Sequence, residues 1–433
     1  MKKIGILGGG LTGLVLGSSI KKVAIEILEK EKECGGLCRS FRYKGYTVDK
    51  GGAHIIYSKN KDIINYVKKL LSYNLQKNRR NNKVYYKGIL VKYPFENGIG
   101  DLPPKERFKC LYHFLNNKYP KPKNFKEWLY YNFGKEIADI YLIPYNKKIW
   151  KFNLEKMSLC WAGRVPKPPI EDILKSACGI PTEGYLHQLN FYYPKAGGIQ
   201  ALIESLIKKI KKSKNAKIIT NFLIKKVYKE SDKWFIEDIN GLIKCYDELI
   251  STIPLIELAK VLENIPLKVK KAILDLRFNS LITIVLFFNY PLNKPFTAIY
   301  FPQKDIIFHR IAFPKNFSIK NVPHNKDAII VEITTRYNSK VWKAKESLLF
   351  KKIVSDLKKL NIISNEAIIY KKMFKFKYGY VIYDLNYQNN IKIIKNYFNK
   401  IGIKLCGRFA EFEYLNMDQC IERALNTAKQ FKK

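Results

Sequence analysis

Acidic side chains are scarce: 37 Asp and Glu stand against 79 Lys and Arg, a formal net charge of +42 over 433 residues. Such an excess suits nucleic acid, anionic lipid or a phosphorylated small substrate. Yet no block of five or more like charges marks an interaction tail, and the lysines are dispersed in twos and threes such as Lys147-Lys148 and Lys371-Lys372. Lys, Ile, Asn and Tyr are abundant together, as AT-rich codons would make them. The charge is therefore read as coding bias, and no specific nucleic-acid partner is expected. Long apolar runs are missing too: the longest candidate, Leu281 to Phe288, is eight residues against the roughly 20 that a membrane span needs. Lys2-Lys3 followed by apolar residues imitates a signal peptide, but Gly5, Gly8, Gly9, Gly10, Gly13 and Gly17 punctuate that stretch. The expectation is a soluble, cytoplasmic protein.

The eight cysteines form no CxxC pair and no Cys/His cluster of zinc spacing, so no metal site is expected. Cys34 and Cys38 flank a glycine pair, but with the others they read as reduced core thiols in a reducing compartment. His113, His187, His309 and His324 have no catalytic partner in sequence. A Ser-His-Asp order, an HExxH helix and a Walker loop are all absent. Those absences fit chemistry carried by a cofactor.

What is present begins at the N-terminus. Lys2 to Leu7 reads as a strand, Leu11 to Ile20 as a helix and Val23 to Leu28 as a second strand. Gly8-Gly9-Gly10-Leu11-Thr12-Gly13 fits G-x-G-x-x-G in the required strand-to-helix context. Gly8 allows a tight turn, Gly10 lets backbone approach a pyrophosphate, and Gly13 permits close helix–strand packing. The phosphate would sit on the helix N-terminus. Glu29, ending the second strand, is placed to accept hydrogen bonds from ribose hydroxyls.

Further along, 61–73 is helical and 103–143 reads as two helices, Asn124 capping the second with Glu127 three residues on. Pro144, Pro166, Pro168, Pro169 and Pro181 are expected to break the chain into loops. A helix over 199–211 precedes three short strands within 217–247. An antiparallel sheet is expected from 281–288, 296–301, 306–313 and 328–334, with helices over 345–359 and 417–431. The fold class is α/β: a Rossmann-like dinucleotide-binding domain with an inserted helical region and an antiparallel β-sheet substrate domain. Its expected division is 1–75, 195–256 and 391–433 for the dinucleotide, with 76–194 and 257–390 for substrate.

Gly35-Gly36-Leu37-Cys38-Arg39-Ser40 resembles the second glycine motif of the amine-oxidase superfamily of flavoproteins. Val48-Asp49 with Gly51-Gly52-Ala53-His54 resembles its next motif, whose backbone passes beside the flavin ring. Several segments look like the UDP-galactopyranose mutase branch, eukaryotic type. Pro144-Tyr145-Asn146 with Lys148-Ile149-Trp150 resembles the YNxKxW segment, and Trp161-Ala162-Gly163-Arg164-Val165 a segment whose arginine contacts the UDP pyrophosphate. Tyr300 and Arg310 resemble a tyrosine and a second phosphate-binding arginine at the same interval. Gly407-Arg408-Phe409 with Tyr414 resembles GRxxxxxY, and the helix entered through Asn416-Met417-Asp418 the one that covers the flavin. Two departures stand out: Ala53 intervenes before His54, and Gln188 replaces an asparagine.

The resemblance implies non-covalent FAD held by Gly8, Gly10, Gly13, Glu29, Gly35, Gly36, Arg39, Ser40, Gly52, Gly407, Arg408 and Met417. It implies a substrate, a UDP-sugar, held by Arg164, Tyr300, Arg310, Tyr414, Trp150 and Asn146. His54 would lie near the flavin, whose N5 does the chemistry; NAD(P)H is one candidate reductant, and the sequence leaves the reductant open. By their chemistry alone, two well-separated arginines with interleaved tyrosines suit a diphosphate, because arginine donates in a planar fork and phenols add neutral donors. The readings are a ring-isomerising mutase on a nucleotide-sugar, an FAD oxidoreductase of the amine-oxidase or protoporphyrinogen-oxidase type, and a charge-driven surface binder that keeps flavin structurally.

Overall fold

Alternation at period two sorts the first strand, Lys3–Leu7: Ile4 and Ile6 pack with Leu14 and Val15 of the helix Leu11–Ser19, while Leu7 joins an apolar cluster on the opposite face. The computed structural model describes residues 2–165, 167–182, 189–364 and 368–431. On that first strand it builds a parallel sheet in the order Ile403–Leu405, Glu248–Ser251, Lys3–Leu7, Ala24–Leu28, Ala216–Ile219. Helices Leu11–Ser19, Gln200–Lys211 and Met417–Lys429 cover one face. A three-stranded antiparallel sheet, Ile224–Glu230, Lys233–Asp238 and Ile243–Tyr246, covers the other. The trio of strands expected within 217–247 is thus corrected. Ala216–Ile219 extends the parallel sheet along the Ala24–Leu28 edge, and the turn-linked trio starts at Ile224. The connection leaving Lys3–Leu7 runs to the Ala24–Leu28 side and the one leaving its neighbour Glu248–Ser251 to the Ile403–Leu405 side, which opens a crevice at the carboxyl ends of these strands.

The second sheet runs Ile368–Ile382, Arg277–Phe288, Asp327–Thr335, Arg310–Ala312, Ala298–Tyr300, Asn82–Tyr86, Ile89–Lys92. The expected antiparallel sheet is present, with three corrections. Ala298–Tyr300 and Asn82–Tyr86 pair in parallel, and the strands expected over 296–301 and 306–313 shorten to three residues each. The long strand Ile368–Ile382 was not expected at all. Arg277–Phe288 is apolar on both faces because both are covered: Ile282, Ile284 and Leu286 enter one cluster, Val285 and Phe287 another.

Two helices, Pro104–Leu115 and Phe125–Ile137, form the expected insertion. Asn124 accepts the Glu127 N–H at 3.0 Å, and Glu127 reaches back to the Lys123 N–H at 2.8 Å. Pro144 does not open a loop. It lies in the first turn of the helix Ile143–Trp150, directly after a π-helical stretch, Ala138–Leu142, where its missing N–H is tolerated. Cys34, Cys38, Cys110, Cys406 and Cys420 are buried thiols, whereas Cys178 is exposed and not part of the core expected for it.

Candidate functional site

The crevice of the parallel sheet, the second sheet and the helical insertion enclose one cavity of about 1180 Å³, above the roughly 300–1,000 Å³ of a single small-ligand pocket. Its volume suits a large cofactor with a substrate.

One end is a glycine cradle. Gly10 caps the helix Leu11–Ser19 without any side-chain hydrogen bond, leaving first-turn N–H groups for an anion. A Cβ on Gly10 would meet no atom within 4 Å, so the backbone there faces open cavity. Gly13 lies behind it, where a Cβ would stand 2.0 Å from the Gly8 carbonyl oxygen. Glu29 is buried in the cavity wall. Its Oε2 accepts the Gly9 N–H at 2.7 Å and its Oε1 the Glu31 N–H at 3.0 Å, leaving two lone-pair directions for hydroxyls. Gly8, Gly35, Gly36 and Arg39 complete this end, with Arg39 Nε donating to the Gly36 carbonyl at 3.0 Å.

Ser40, Gly52 and Gly407 support the wall from behind. Ser40 Oγ donates to Asp49 Oδ1 at 2.9 Å, in a buried network with the Tyr193 hydroxyl and the Ile199 N–H. Burial pushes Asp49 up to about 6 against those donors. The Gly407 N–H donates to Glu411 at 2.8 Å.

A dinucleotide fits these groups. The open helix N-terminus and the two glycine turns offer N–H donors, Glu29 offers acceptors, and Arg39 and Arg408 offer positive charge. Arg408 donates to the carbonyls of Leu415 at 3.2 Å and Gly379 at 2.8 Å, while its Nε is buried without a partner among the described residues. Met417 and the N-terminus of its helix border the same space.

The same cavity is also lined by Arg164, Tyr300, Arg310, Tyr414 and His54. Tyr300 and Arg310 are register partners on adjacent strands, which is why their spacing in sequence brings them together. Tyr93 stacks on Tyr300 with centroids 4.9 Å apart, and Asn82 donates to the Tyr300 hydroxyl at 3.4 Å. Arg164 donates to Gln419 Oε1 at 2.8 Å. Tyr414 lies among Arg164, Arg408, Trp161 and Tyr380. The His54 ring donates from Nδ1 to the Gly52 carbonyl at 2.8 Å, which leaves Nε2 as its acceptor. Burial drives His54 down to about 4; the Gly52 bond opposes this, while the charges of Arg310 and Arg408 add to it.

Asn146 and Trp150 are not in the cavity wall. Trp150 is 1% exposed and donates its indole N–H to Asn146 Oδ1 at 2.9 Å, and Asn146 donates to the Leu142 carbonyl at 2.7 Å. Their role is to close the Ile143–Trp150 helix against the core. The position expected at Gln188 lies outside the described residues, as do His187 and Pro166.

Sequence reasoning missed Arg80, Tyr57, Tyr93, Tyr380 and Glu332. Arg80 lines the cavity with its guanidinium 5.1 Å from the Tyr57 ring centroid. Glu332 is fully buried and pairs in a fork with Arg310, Nε to Oε1 at 2.9 Å and Nη2 to Oε2 at 2.6 Å. A lone carboxylate inside the apolar run Ala328-Ile329-Ile330-Val331-Glu332-Ile333 was the available signal, since a buried acid demands a partner.

Residues 6–70 match the NAD(P)-binding Rossmann-like domain family. A crystal structure of reduced UDP-galactopyranose mutase superposes with a TM-score of 0.88 at 25% identity, covering 99% of this chain and 95% of that one. The chain has the UDP-galactopyranose mutase fold. A candidate protoporphyrinogen oxidase from Exiguobacterium sp. 255-15 shares the fold at TM-score 0.78 and 17% identity, over 99% of this chain and 98% of that one. The sequence resemblance to this superfamily is thereby borne out. A dTDP-fucopyranose mutase of Escherichia coli is 24% identical over 198 residues, 43% of this chain and 52% of that protein. A protein of Methanothermococcus thermolithotrophicus known only from its position in the nifH2 3′ region is 46% identical over 50 residues, 11% of this chain and 49% of that protein. The matched segments thus span about half the length of these curated relatives. Among the described residues, no helix is long and apolar enough to cross a membrane.

Proposed function

We propose that this chain binds FAD non-covalently and isomerises the ring of a nucleotide-sugar, with NAD(P)H as the source of reducing equivalents. The observation that carries the reading is that Arg164 and Arg310, far apart in sequence, border the same cavity as the glycine cradle. The bound flavin, in its reduced form, supplies a nucleophile for the sugar's anomeric carbon.

The chain's own residues bind and orient. Glu29 accepts from ribose hydroxyls, and the helix N-terminus at Gly10 with Arg39 balances the cofactor diphosphate. Arg164 and Arg310 hold the substrate diphosphate and stabilise charge as the nucleotide leaves, with the hydroxyls of Tyr300 and Tyr414 as neutral donors. Trp161, Tyr93 and Tyr380 wall that end and exclude water. The likeness to reduced UDP-galactopyranose mutase and to a dTDP-fucopyranose mutase supports a nucleotide-linked sugar.

The test is to reduce the flavin-loaded protein with dithionite, add UDP-galactopyranose or dTDP-fucopyranose, and look for ring-contracted product. Conversion without net oxidation is expected. Flavin bleaching by a small amine or porphyrinogen, with no response to UDP or dTDP, would replace this reading with the oxidoreductase one.

A further inference from the structure

Glu332 sits mid-strand in Asp327–Thr335 with no exposure to solvent, paired in register with Thr283 on one side and Arg310 on the other. A carboxylate there is tolerable only when its lone pairs are filled. Two are taken by the Arg310 fork. A third accepts the Ala53 N–H, to Oε1 at 3.1 Å. The loop also presses on this carboxylate directly: Gly52 has φ +94, and a Cβ on it would lie 2.9 Å from Glu332 Cδ. No side chain fits between the loop and the carboxylate. The same glycine's carbonyl accepts from His54 Nδ1 at 2.8 Å.

One carboxylate therefore ties together two parts of the cavity. Arg310 stays charged despite its burial because Glu332 faces it. With the Nε–Nη2 edge of the guanidinium committed to Glu332, the Nη1 end is what a ligand can engage. An anion drawn onto that end pulls on a fork whose other edge is anchored, through Glu332, to the Ala53 N–H and the Gly52 backbone.

We propose that Glu332 is a positioning residue that couples Arg310 to the loop Gly52–His54, so that a diphosphate on Arg310 alters the environment of the flavin. The coupling rests on the nucleotide-sugar reading of the Arg310 end. It works by geometry: the side chain of Glu332 spans Arg310 and Ala53, and a shorter or uncharged side chain cannot hold both as a pair.

The experiment uses flavin-loaded protein and UDP, with affinity from calorimetry and the cofactor's response from the flavin absorbance change at saturating UDP. R310Q should weaken UDP binding about tenfold or more, the loss of a charge-assisted phosphate contact. E332D and E332Q should keep UDP affinity within about threefold while the absorbance change falls to about half or less, an uncoupling that a purely structural role would not produce. E332D and E332Q with a wild-type absorbance change would overturn the coupling. R310Q binding UDP as tightly as wild type would instead remove the nucleotide-sugar reading of this end. The double variant R310Q/E332Q buries no unpaired charge, so it remains readable should E332Q fold poorly. Its UDP response should equal that of R310Q, and additive losses would show that Glu332 acts elsewhere.

Discussion

The Arg164 guanidinium lies 5.4 Å from the centroid of the Tyr414 ring. Arg408 lies 4.3 Å from the same centroid, and Trp161 meets the ring edge-on at 4.8 Å. Cation–π attraction to this one tyrosine ring steadies both guanidiniums, each of which also donates to a protein oxygen. Arg164→Ala should therefore raise the Kd for UDP about tenfold or more without changing flavin content. Arg164→Lys should recover little, because an ammonium neither stacks nor donates as a fork. A spectrophotometric UDP titration of the three proteins checks this, and equal affinities would exclude Arg164 as a diphosphate anchor.

Gly10 and Gly13 should fail differently. A side chain at Gly10 projects into open cavity, so Gly10→Val should fold and lose flavin. At Gly13 a Cβ meets the Gly8 carbonyl oxygen at 2.0 Å, so Gly13→Val should unfold the turn itself. The ratio of flavin to protein absorbance, with a thermal melt, separates the two. A Gly10→Val protein with full flavin would contradict the cradle.

Acid should loosen the site through His54. Its value of about 4 in the folded protein lies below the roughly 6.5 of the unfolded chain, so between those values the unfolded chain binds a proton that the folded one refuses. Stability from this group is complete above pH ~6.5 and is lost as pH falls towards 4. Tm should drop more between pH 7.5 and pH 5 for wild type than for His54→Gln. Parallel curves would mean that another group titrates.

Trp150→Phe should cost stability and leave ligand binding alone. It strands the Asn146 carbonyl oxygen in a buried site, at about 1–3 kcal/mol. A lower Tm with unchanged UDP affinity is the expected outcome. A weakened UDP complex at unchanged Tm would restore Trp150 to the substrate site.

Legibility followed contact range. The capped helix at Asn124 was readable because its capping bonds lie within four residues. Ile368–Ile382 went unread although Lys371 to Tyr378 interleaves lysine and aromatic residues, because a lysine-rich stretch resembles solvent-facing loop until a partner strand is known. The YNxKxW resemblance points to Asn146 and Trp150 as substrate residues, but a motif carries residue types and spacing, not which way the side chains point. Their mutual hydrogen bond inside one helical turn turns both into the core.

By itself the sequence determined the glycine cradle and Glu29: strand, turn and helix are local there, and only glycine fits the close approaches. It also held the Tyr300–Arg310 interval, and the antiparallel pairing of their strands makes the two residues cross-strand neighbours. The tertiary structure alone decided that Arg310 is half-committed to Glu332 and that Glu332 reaches the Gly52–His54 loop. Those contacts join segments up to 279 residues apart. No local pattern encodes them, because a buried carboxylate takes whichever donors the packed sheet brings to it.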